Sequence, residues 1–458
     1  MTIGMRATLR PVPERLKGFE EIDQGLNPRQ ATLEATRCLM CKDSPCNQGC
    51  PAGIDVRGFI RKIRFSEYQG GVRLLREENI LAGVCGRVCP TEALCEHACR
   101  SQALTDPIRI GALQRFLTDW EMEHGRREFD LPPTALQPVA VIGAGPAGLA
   151  AAAKLRQMGH PVTILEKREF AGGTLVHGIP QFKLPRRVID YEIDLVRAMG
   201  VEIRLNTALD DQMTAEALLH DGFGAVLLAV GLQEPYTLDI EGEDLDGVYT
   251  ALDVLATANG LTPDNEVKIG KQVVVIGGGS ASVNAACCAL RMGAETVNLT
   301  ALGTPAEMDA FEKDKLQALD EGVQFNSRMR PTRILGRDGH VTGLEGVGVQ
   351  WIIPGKYTPD NIVDVPHSQV IMPADTVIIA IGQRAAKGLS QCVPQVQTAA
   401  SGRVVADPKR SETSQEGVFA AGDILAGAGR CAVVKSVLEG KTAALAIHAY
   451  LETQGSRS

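Results

Sequence analysis

Short apolar runs alternate with glycine-rich turns and helical stretches in the central part of the chain. Val139–Ile142 is such a run, and a glycine-rich turn, an Ala-rich stretch that ends at Gly159 and a second apolar run, Pro161–Leu165, follow it. Short apolar runs bounded by glycine are typical of buried strands, and a longer Ala-rich stretch is typical of a helix. This segment is therefore predicted to form a strand–turn–helix–strand unit.

The same order of elements returns 134 positions later, counted from Gly143 to Gly277. The second copy has a strand, a turn, a helix and a strand at Gln272–Ile276, Gly277–Gly279, Ser280–Met292 and Thr296–Thr300. Two more apolar runs that end in glycine, Ala225–Gly231 and Thr376–Gly382, are expected to close the two units. This order predicts that the second unit is inserted into the first, to which the chain returns near residue 386.

The residues before Val139 have a different character. Residues 28–120 are rich in cysteine, and apolar spacing predicts short helices over Ala31–Cys38 and Gly111–Trp120. The polar, proline-containing segment Glu121–Pro138 is predicted to be a linker.

Composition argues against several classes of protein. The 458 residues carry a net charge of −8 and only 4% aromatic residues, whereas nucleic-acid-binding proteins usually combine a basic face with stacking aromatics. No uncharged apolar run is long enough to span a bilayer. Met1–Gly18 lacks the apolar core of a secretory signal. We expect a cytoplasmic protein with neither nucleic acid nor membrane as a partner.

Eight of the 12 cysteines lie between Cys38 and Cys99, which favours metal binding over disulfides in a chain without a secretory signal. They form two runs of four, namely Cys38, Cys41, Cys46 and Cys50, then Cys85, Cys89, Cys95 and Cys99. Thiolates suit iron–sulfur clusters or zinc. Two Cys-Pro endings and a single Cys-x2-Cys pair favour iron–sulfur clusters, with zinc as the alternative. On spacing alone, each run of four would form one site.

The first glycine-rich turn matches the GxGxxG fingerprint of dinucleotide-binding units. Its candidate contacts are Gly143, Gly145, Pro146, Ala147 and Gly148. The three glycines allow a tight turn, close approach of a pyrophosphate and close helix–strand packing, in that order. Glu166, at the end of the next strand, stands where a carboxylate accepts the ribose hydroxyls. The alternative is a packing turn that binds nothing.

A second feature also points to a flavin. Val418–Asp423 reads as a strand that ends in Gly-Asp before a helix predicted over Ala432–Leu451. It resembles the FAD-closing motif of two-dinucleotide flavoproteins, in which the Asp carboxylate binds the ribityl chain. An ordinary turn is the alternative.

The second glycine-rich turn, Gly277, Gly278 and Gly279 followed by Ser280, is a variant of the same fingerprint. Serine is small enough to keep the close packing. NADP sites usually carry Arg after the second strand, and NAD sites an acid. The sequence Thr300-Ala301-Leu302-Gly303 has neither. Because no cation is present to pair with a 2′-phosphate, NADH is predicted to be preferred over NADPH.

With these motifs in view, the chain resembles the small-subunit family of glutamate synthase over nearly its whole length. Within that family it is most similar to the flavoprotein subunits of NAD-dependent dihydropyrimidine dehydrogenase. The stretches that carry the resemblance are RCLMCKDSPCNQGCP, CGRVCPTEALCEHAC, IGALQRF, GAGPAGLAA, GGTLVHGIPQFKLP and AAGDI.

The resemblance implies an α/β two-dinucleotide-binding flavoprotein preceded by a mostly α-helical domain with two [4Fe–4S] clusters. The implied domains are 1–135 for the clusters, 136–258 with 386–458 for FAD, and 259–385 for NAD(P).

The resemblance also implies the ligands. One cluster takes Cys38, Cys41, Cys46 and Cys99, and the other takes Cys50, Cys89, Cys95 and Gln114, which leaves Cys85 over. Without the resemblance, Gln114 would be read as an exposed helix residue. Lys183 and Gly173 fall at FAD positions, and Ser280, Ala281 and Gly382 at nicotinamide-dinucleotide positions. Many members have Asp at Ser280 and Arg near Ala301 and Leu302, where this chain departs from the family.

The function implied is electron input. NADH reduces FAD, and electrons cross the two clusters to an FMN-containing partner subunit that reduces uracil or thymine. This chain lacks the FMN-binding (β/α)8 domain of eukaryotic dihydropyrimidine dehydrogenase. One alternative is a glutamate synthase large subunit, or another reductase, as the partner. A non-enzymatic scaffold with vestigial sites is the other.

Overall fold

A computed structural model describes residues 9–125, 129–262, 266–427, 429 and 431–455. The amino-terminal unit is helical, with α1 to α7 at Val12–Arg15, Pro28–Thr36, Pro45–Gln48, Val56–Arg64, Tyr68–Glu78, Ala82–Val88 and Ile110–His124. Single 3-10 turns at Thr91–Ala93 and Arg100–Ala103 lie between α6 and α7. Helix α4 shows why these segments are helical, since Val56, Phe59, Ile60 and Ile63 recur at helical spacing and all four are buried.

Both predicted amino-terminal helices are confirmed, as α2 and α7, with shifted bounds. Helix α7 continues to His124, so the first residues of the predicted linker Glu121–Pro138 are helical. Residues 126–128 of that linker lie outside the described residues.

The next part of the chain contains β1 to β5 and α8 to α11. In chain order these are β1 Val139–Ile142, α8 Pro146–Gln157, β2 Val162–Leu165, α9 Thr174–His177, α10 Arg186–Ala198, β3 Glu202–Arg204, α11 Ala215–His220, β4 Ala225–Leu228 and β5 Glu234–Pro235. Strands β1 and β4 are apolar at every position because both of their faces are buried.

From Val248 onwards, the described residues form ten strands and five helices. They are β6 Val248–Thr250, α12 Ala251–Ala258, β7 Gln272–Ile276, α13 Ser280–Arg291, β8 Thr296–Ala301, α14 Glu312–Asp320, β9 Gln324–Ser327, β10 Met329–Arg337, β11 His340–Trp351, β12 Ile362–Pro373, β13 Thr376–Ile379, β14 Gln383–Arg384, α15 Leu389–Cys392, β15 Val418–Ala420 and α16 Val433–Gly455. Strands β1 and β7 have the predicted bounds.

Two parallel five-stranded sheets organise the α/β part of the molecule. The first has the strand order β15–β4–β1–β2–β3 and the second the order β6–β13–β7–β8–β9. Strands β5 and β14 pair antiparallel where the chain leaves the first unit and returns to it. The second unit is therefore inserted into the first, as the order of motifs predicted.

The structure places the start of the inserted unit earlier than predicted. Strand β6 pairs with β13 in the second sheet, and α12 follows it directly. Residues 248–258, which sequence analysis assigned to the first unit, therefore belong to the second. The short run Val248–Thr250 is only half-buried, so its apolar signal is weak. An antiparallel sheet of β10, β11 and β12, which was not predicted, packs against the second unit.

Helix α16 packs along α8 on the first sheet. A Cβ on Gly440 would lie 2.2 Å from the Ala147 carbonyl oxygen, so only glycine permits this approach. The last helix is thereby fixed against the first glycine-rich turn. Among the described helices, none combines the length and apolar character that crossing a bilayer requires.

Candidate functional site

The first glycine-rich turn lies between β1 and α8. Gly143 has φ of +105°, and a Cβ there would lie 2.6 Å from the Ala229 carbonyl oxygen. A Cβ on Gly148 would lie 2.0 Å from the Gly143 carbonyl oxygen. Gly145 differs, since no atom lies within 4 Å of the Cβ position it leaves empty. The open space at Gly145 faces the amino terminus of α8, where a pyrophosphate is bound in such units.

Glu166 is buried beside this turn, directly after β2. Its two carboxylate oxygens accept hydrogen bonds from the backbone N–H groups of Ala144 at 2.8 Å and of Arg168 at 3.0 Å. These bonds hold the carboxylate at the carboxyl edge of the sheet. The carboxylate therefore lies beside the first turn, and its contact with a ribose stays a prediction.

Two distant segments also contact the first turn. A Cβ on Gly173 would lie 3.0 Å from the Gly145 Cα atom, and one on Gly422 would lie 3.0 Å from the Ala147 Cβ atom. Gly422 places Asp423 beside the turn, and burial raises the pKa of the Asp423 carboxyl. The structure therefore brings Gly173 and Asp423 to the same place as the fingerprint, although 30 and 280 positions separate them from Gly143 in the sequence.

These residues line one large cleft of about 1300 Å³. Ten of the predicted cofactor contacts line it, namely Gly143, Gly145, Pro146, Ala147, Glu166, Gly173, Lys183, Ser280, Ala281 and Asp423. Its far wall comes from the amino-terminal unit and includes Cys89, Pro90, Thr91 and Gly111. One space is therefore bordered by both dinucleotide units and by the cysteine-rich unit.

The second glycine-rich turn has the same build as the first. Gly277 has φ of +143°, and a Cβ there would lie 2.3 Å from the Ala380 carbonyl oxygen. Gly279, like Gly145, faces open space. The Ser280 hydroxyl accepts a hydrogen bond from the backbone N–H of Phe311 at 3.1 Å. Gly382 follows β13 and has φ of +109°.

Lys183 lies between the two dinucleotide units. Its ammonium group donates to the Asn284 side-chain oxygen at 2.5 Å and pairs with the Asp314 carboxylate at 2.7 Å. Both partners belong to the inserted unit. Lys183 thus lines the cleft but bridges the two dinucleotide units, and its direct partners are not in the first turn.

The four thiols that the resemblance assigns to one cluster border the same small cavity. Cys38, Cys41, Cys46 and Cys99 line one small cavity together with Arg57 and Arg100. Burial, and then the neighbouring thiols of Cys38 and Cys99, raise the pKa of Cys46 to about 11. Cys99 comes from the second run of four, so grouping by run alone would misplace it.

The second group of thiols consists of Cys50, Cys89 and Cys95. It lies against the cleft, which Cys89 lines. Burial, and then the thiols of Cys85, Cys95 and Cys50, raise the pKa of Cys89. Cys85 is buried next to them, and burial raises its pKa to about 12. Thiols clustered in this way are a donor set that a cationic iron centre would deprotonate. Among the described residues, no three His, Cys, Asp or Glu side chains converge closely enough to hold a single metal ion.

Gln114 is buried on α7, so the reading of it as an exposed helix residue is wrong. Its amide nitrogen donates to the Ala82 carbonyl oxygen on α6 at 2.7 Å. Helix α6 carries Cys85 and ends directly before Cys89. The side chain therefore lies against the helix that leads into the second group of thiols.

Two residues that sequence reasoning missed join the units. Glu192 on α10 pairs with Arg76 on α5, and both side chains are buried. Lys441 on α16 donates to the Ala52 carbonyl oxygen at 2.7 Å and pairs with Glu78 at 2.6 Å. Ala52 lies two positions after Cys50. No local pattern in the sequence identifies such pairs, because their partners are distant along the chain.

Two family models match the chain. Residues 15–126 match the model described as dihydropyrimidine dehydrogenase domain II, 4Fe-4S cluster. Residues 137–449 match the model described as pyridine nucleotide-disulphide oxidoreductase. These matches confirm the predicted fold class, an iron–sulfur domain followed by a two-dinucleotide-binding flavoprotein.

Relatives confirm the resemblance. The chain is 36% identical over 440 residues to the NAD-dependent dihydropyrimidine dehydrogenase subunit PreT of Escherichia coli O157:H7, which covers 95% of this chain and 97% of that protein. It is 32% identical over 457 residues to the glutamate synthase [NADPH] small chain of Escherichia coli K12, covering 97% and 96%. The crystal structure of T. acidophilum thioredoxin reductase is alike in fold, with a TM-score of 0.51 and 20% identity, over 70% of this chain and 99% of that one.

Proposed function

Because the chain belongs to the small-subunit family of glutamate synthase, which includes the PreT subunits of NAD-dependent dihydropyrimidine dehydrogenase, we propose that it is an electron-input subunit of a dihydropyrimidine dehydrogenase. It oxidises NADH and delivers electrons to an FMN-containing partner subunit that reduces uracil or thymine. The observation that carries this proposal is one cleft lined by the first glycine-rich turn, by Ser280 and Ala281 at the start of α13, and by Cys89.

The residues around the cleft fit the groups that this function needs. The open space at Gly145, the carboxylate of Glu166 and that of Asp423 would hold FAD, and the second turn from Gly277 to Ala281 would hold the nicotinamide dinucleotide. When bound, FAD takes two electrons as hydride and releases them singly, and iron–sulfur clusters carry single electrons.

The two groups of thiols suggest an order. Cys89, in the second group, lines the cleft, whereas the cavity of the first group shares no lining residue with the cleft. We assign one [4Fe–4S] cluster to each group, with Gln114 completing the second. A cluster held by the second group would border the flavin site and could accept electrons there, and one held by the first group would lie farther from it.

The protein around the cleft controls orientation and access. Lys183 joins the two dinucleotide units at the cleft wall through Asp314 and Asn284, which sets how the second turn faces the first. Glu166 is fixed by two backbone N–H groups, so it presents a rigid acceptor.

Pyrimidine reduction is assigned to the partner. The sheets in the described part of the chain have five, three, five and two strands, and none of them is an eight-stranded barrel. A hetero-oligomer is proposed for the complete reaction because the relatives are named as a subunit and as a small chain. The similarity to glutamate synthase small chain over 97% of this chain supports a second candidate, in which the same electron-input unit serves a glutamate synthase large subunit.

The test is NADH-dependent reduction of uracil under anaerobic conditions, with and without a candidate FMN-containing subunit. We expect turnover only when both proteins are present. NADH oxidation that couples to a glutamate synthase large subunit, and not to the pyrimidine-reducing one, would favour the second candidate.

A further inference from the structure

The second dinucleotide turn lacks the acidic residue that the first turn has at the equivalent place. The backbone N–H of Gly143 donates to the Leu165 carbonyl oxygen at 2.8 Å, and that of Gly277 donates to the Thr300 carbonyl oxygen at 2.9 Å. Ala301 is therefore the structural counterpart of Glu166. A methyl group cannot accept a hydrogen bond from a ribose hydroxyl, so another group must recognise the ribose at this edge of the sheet.

Glu307 brings a carboxylate to this edge. The segment after β8 folds back over the turn, where the Ala310 N–H donates to the Gly278 carbonyl oxygen at 3.0 Å. Within that segment, Glu307 accepts a hydrogen bond from the Thr304 N–H at 2.8 Å. Glu307 is thus fixed on the loop that leaves the carboxyl end of β8, the edge where the adenosine ribose lies in such units.

The same place also holds a cation. Arg328, in the short link between β9 and β10, donates from its Nη2 atom to the Glu307 carboxylate at 2.7 Å. Its guanidinium carbon lies 5.4 Å from the centroid of the Trp351 ring, within the range of a cation–π contact. Arg328 is therefore held between a carboxylate and an aromatic face.

We propose that Glu307 and Arg328, backed by Trp351, form the element that selects NADH over NADPH. This inference rests on the proposed function, in which NADH is the electron donor. The Glu307 carboxylate accepts the ribose hydroxyls and repels a 2′-phosphate. By pairing with Arg328, it also prevents that guanidinium from binding the phosphate.

The ionisation of Glu307 agrees with this role. Burial raises its pKa, but the hydrogen bond from Thr304 and the charge of Arg328 outweigh burial and lower the pKa below its ordinary value. The group is anionic at neutral pH, as the proposed repulsion requires.

The test is the dissociation constants of NAD+ and NADP+ on the flavin-loaded oxidised protein, measured by isothermal titration calorimetry, in which no electron transfer occurs. We expect Glu307→Gln to tighten NADP+ binding by roughly tenfold, equal to about 1.4 kcal/mol, and to weaken NAD+ binding. The matched control is Glu345→Gln, which removes the carboxylate paired with Arg333 at 3.0 Å on the neighbouring antiparallel sheet. It should change neither constant.

Two more variants guard against a merely structural effect. Glu307→Asp retains the charge and should retain the preference for NAD+. The double variant Glu307→Gln with Arg328→Gln should lose the gain in NADP+ affinity, because the freed guanidinium is gone.

The inference is overturned if Glu307→Gln, like the control Glu345→Gln, does not change the ratio of the NAD+ and NADP+ dissociation constants. It is also overturned if the unaltered protein binds NADP+ more tightly than NAD+. In both cases, reduction of the flavin by a nicotinamide dinucleotide would still support electron input. A flavin-loaded protein that binds neither dinucleotide would instead overturn both the inference and the proposed function.

Discussion

The carboxylate of Glu192 accepts a hydrogen bond from the backbone N–H of Gly83 at 2.5 Å. Glu192 belongs to α10 of the first dinucleotide unit, and Gly83 lies in the first turn of α6, the helix that carries Cys85 and leads to Cys89. The same carboxylate pairs with the buried Arg76. A side chain of the flavoprotein thus caps the helix that leads into the second group of thiols, which couples the two units mechanically.

We expect Glu192→Gln to destabilise the protein by about 3 kcal/mol, because breaking a buried ion pair leaves Arg76 with one fewer counter-charge. Iron content should fall because Gln keeps only one of the two acceptor oxygens that cap α6. Urea denaturation and iron analysis measure the two effects. The matched control is Asp194→Asn on the same helix, whose pair with Arg197 is exposed. Equal stability of the two variants would show that the Glu192 contact does not couple the units.

Gly145 and Gly279, which both face open space, predict separate losses of FAD binding and of NADH binding. Gly145→Ala and Gly279→Ala each add a methyl group where no protein atom lies within 4 Å, and both backbones have negative φ. Each variant should fold, but each fills space assigned to a pyrophosphate. Gly145→Ala should lose FAD, measured as flavin per chain. Gly279→Ala should keep FAD and bind NADH more weakly, and the reverse pattern would exchange the two assigned sites.

The assignment of cluster ligands predicts different effects for two neighbouring cysteines. Cys89→Ala should remove one cluster, whereas Cys85→Ala should leave the iron and sulfide content unchanged, since Gln114 completes the second group in our assignment. Anaerobic iron and acid-labile sulfide analysis measures both variants. Loss of iron from Cys85→Ala to the same extent would assign Cys85, and not Gln114, as the ligand.

His177 lines the cleft, and its environment predicts a pH dependence. Burial, and then the charge of Arg168, lower its pKa from 6.5 to about 4. Between these values the unfolded chain binds more protons than the folded protein, so the free energy of unfolding rises with pH. The contribution of His177 to the free energy of unfolding is complete above pH 6.5 and is lost as pH falls towards 4.

His177→Gln should reduce the rise in the free energy of unfolding over this pH range by up to about 3 kcal/mol. Urea denaturation as a function of pH measures the effect. His220→Gln is the control, because that side chain is 81% exposed. If both variants follow the unaltered protein across this range, the burial of His177 does not set the pH dependence.

The sequence predicts the parts of the fold whose signals are local. Strands β1 and β7 are buried on both faces and are therefore continuous apolar runs, and the glycines after them can be recognised from their spacing. Strand β11 was missed because its burial is interrupted and it contains Gly343, Gly346 and Gly348, which weaken a strand signal. The boundary near Val248 was missed because β6 has three half-buried residues.

The residues of the candidate site also divide into those with a local signal in the sequence and those without one. Glu166 stands at a fixed distance from Gly143, so it could be predicted, as could the cysteine-rich segment. Contacts between units could not, because Glu192 and Gly83 are separated by 109 positions and Lys441 and Glu78 by 363. The role proposed for Glu307 could not be predicted either, since it lies beyond the place directly after β8 where the ribose-binding residue is expected.

The most direct test of the central claim is an anaerobic titration of the purified protein with NADH, followed by the visible absorbance of the flavin and by electron paramagnetic resonance of the iron–sulfur clusters. We predict that NADH bleaches the flavin and that signals of reduced [4Fe–4S] clusters then develop. A preparation without flavin and sulfide-bridged iron would contradict the account, as would a flavin that NADH bleaches while the clusters remain oxidised.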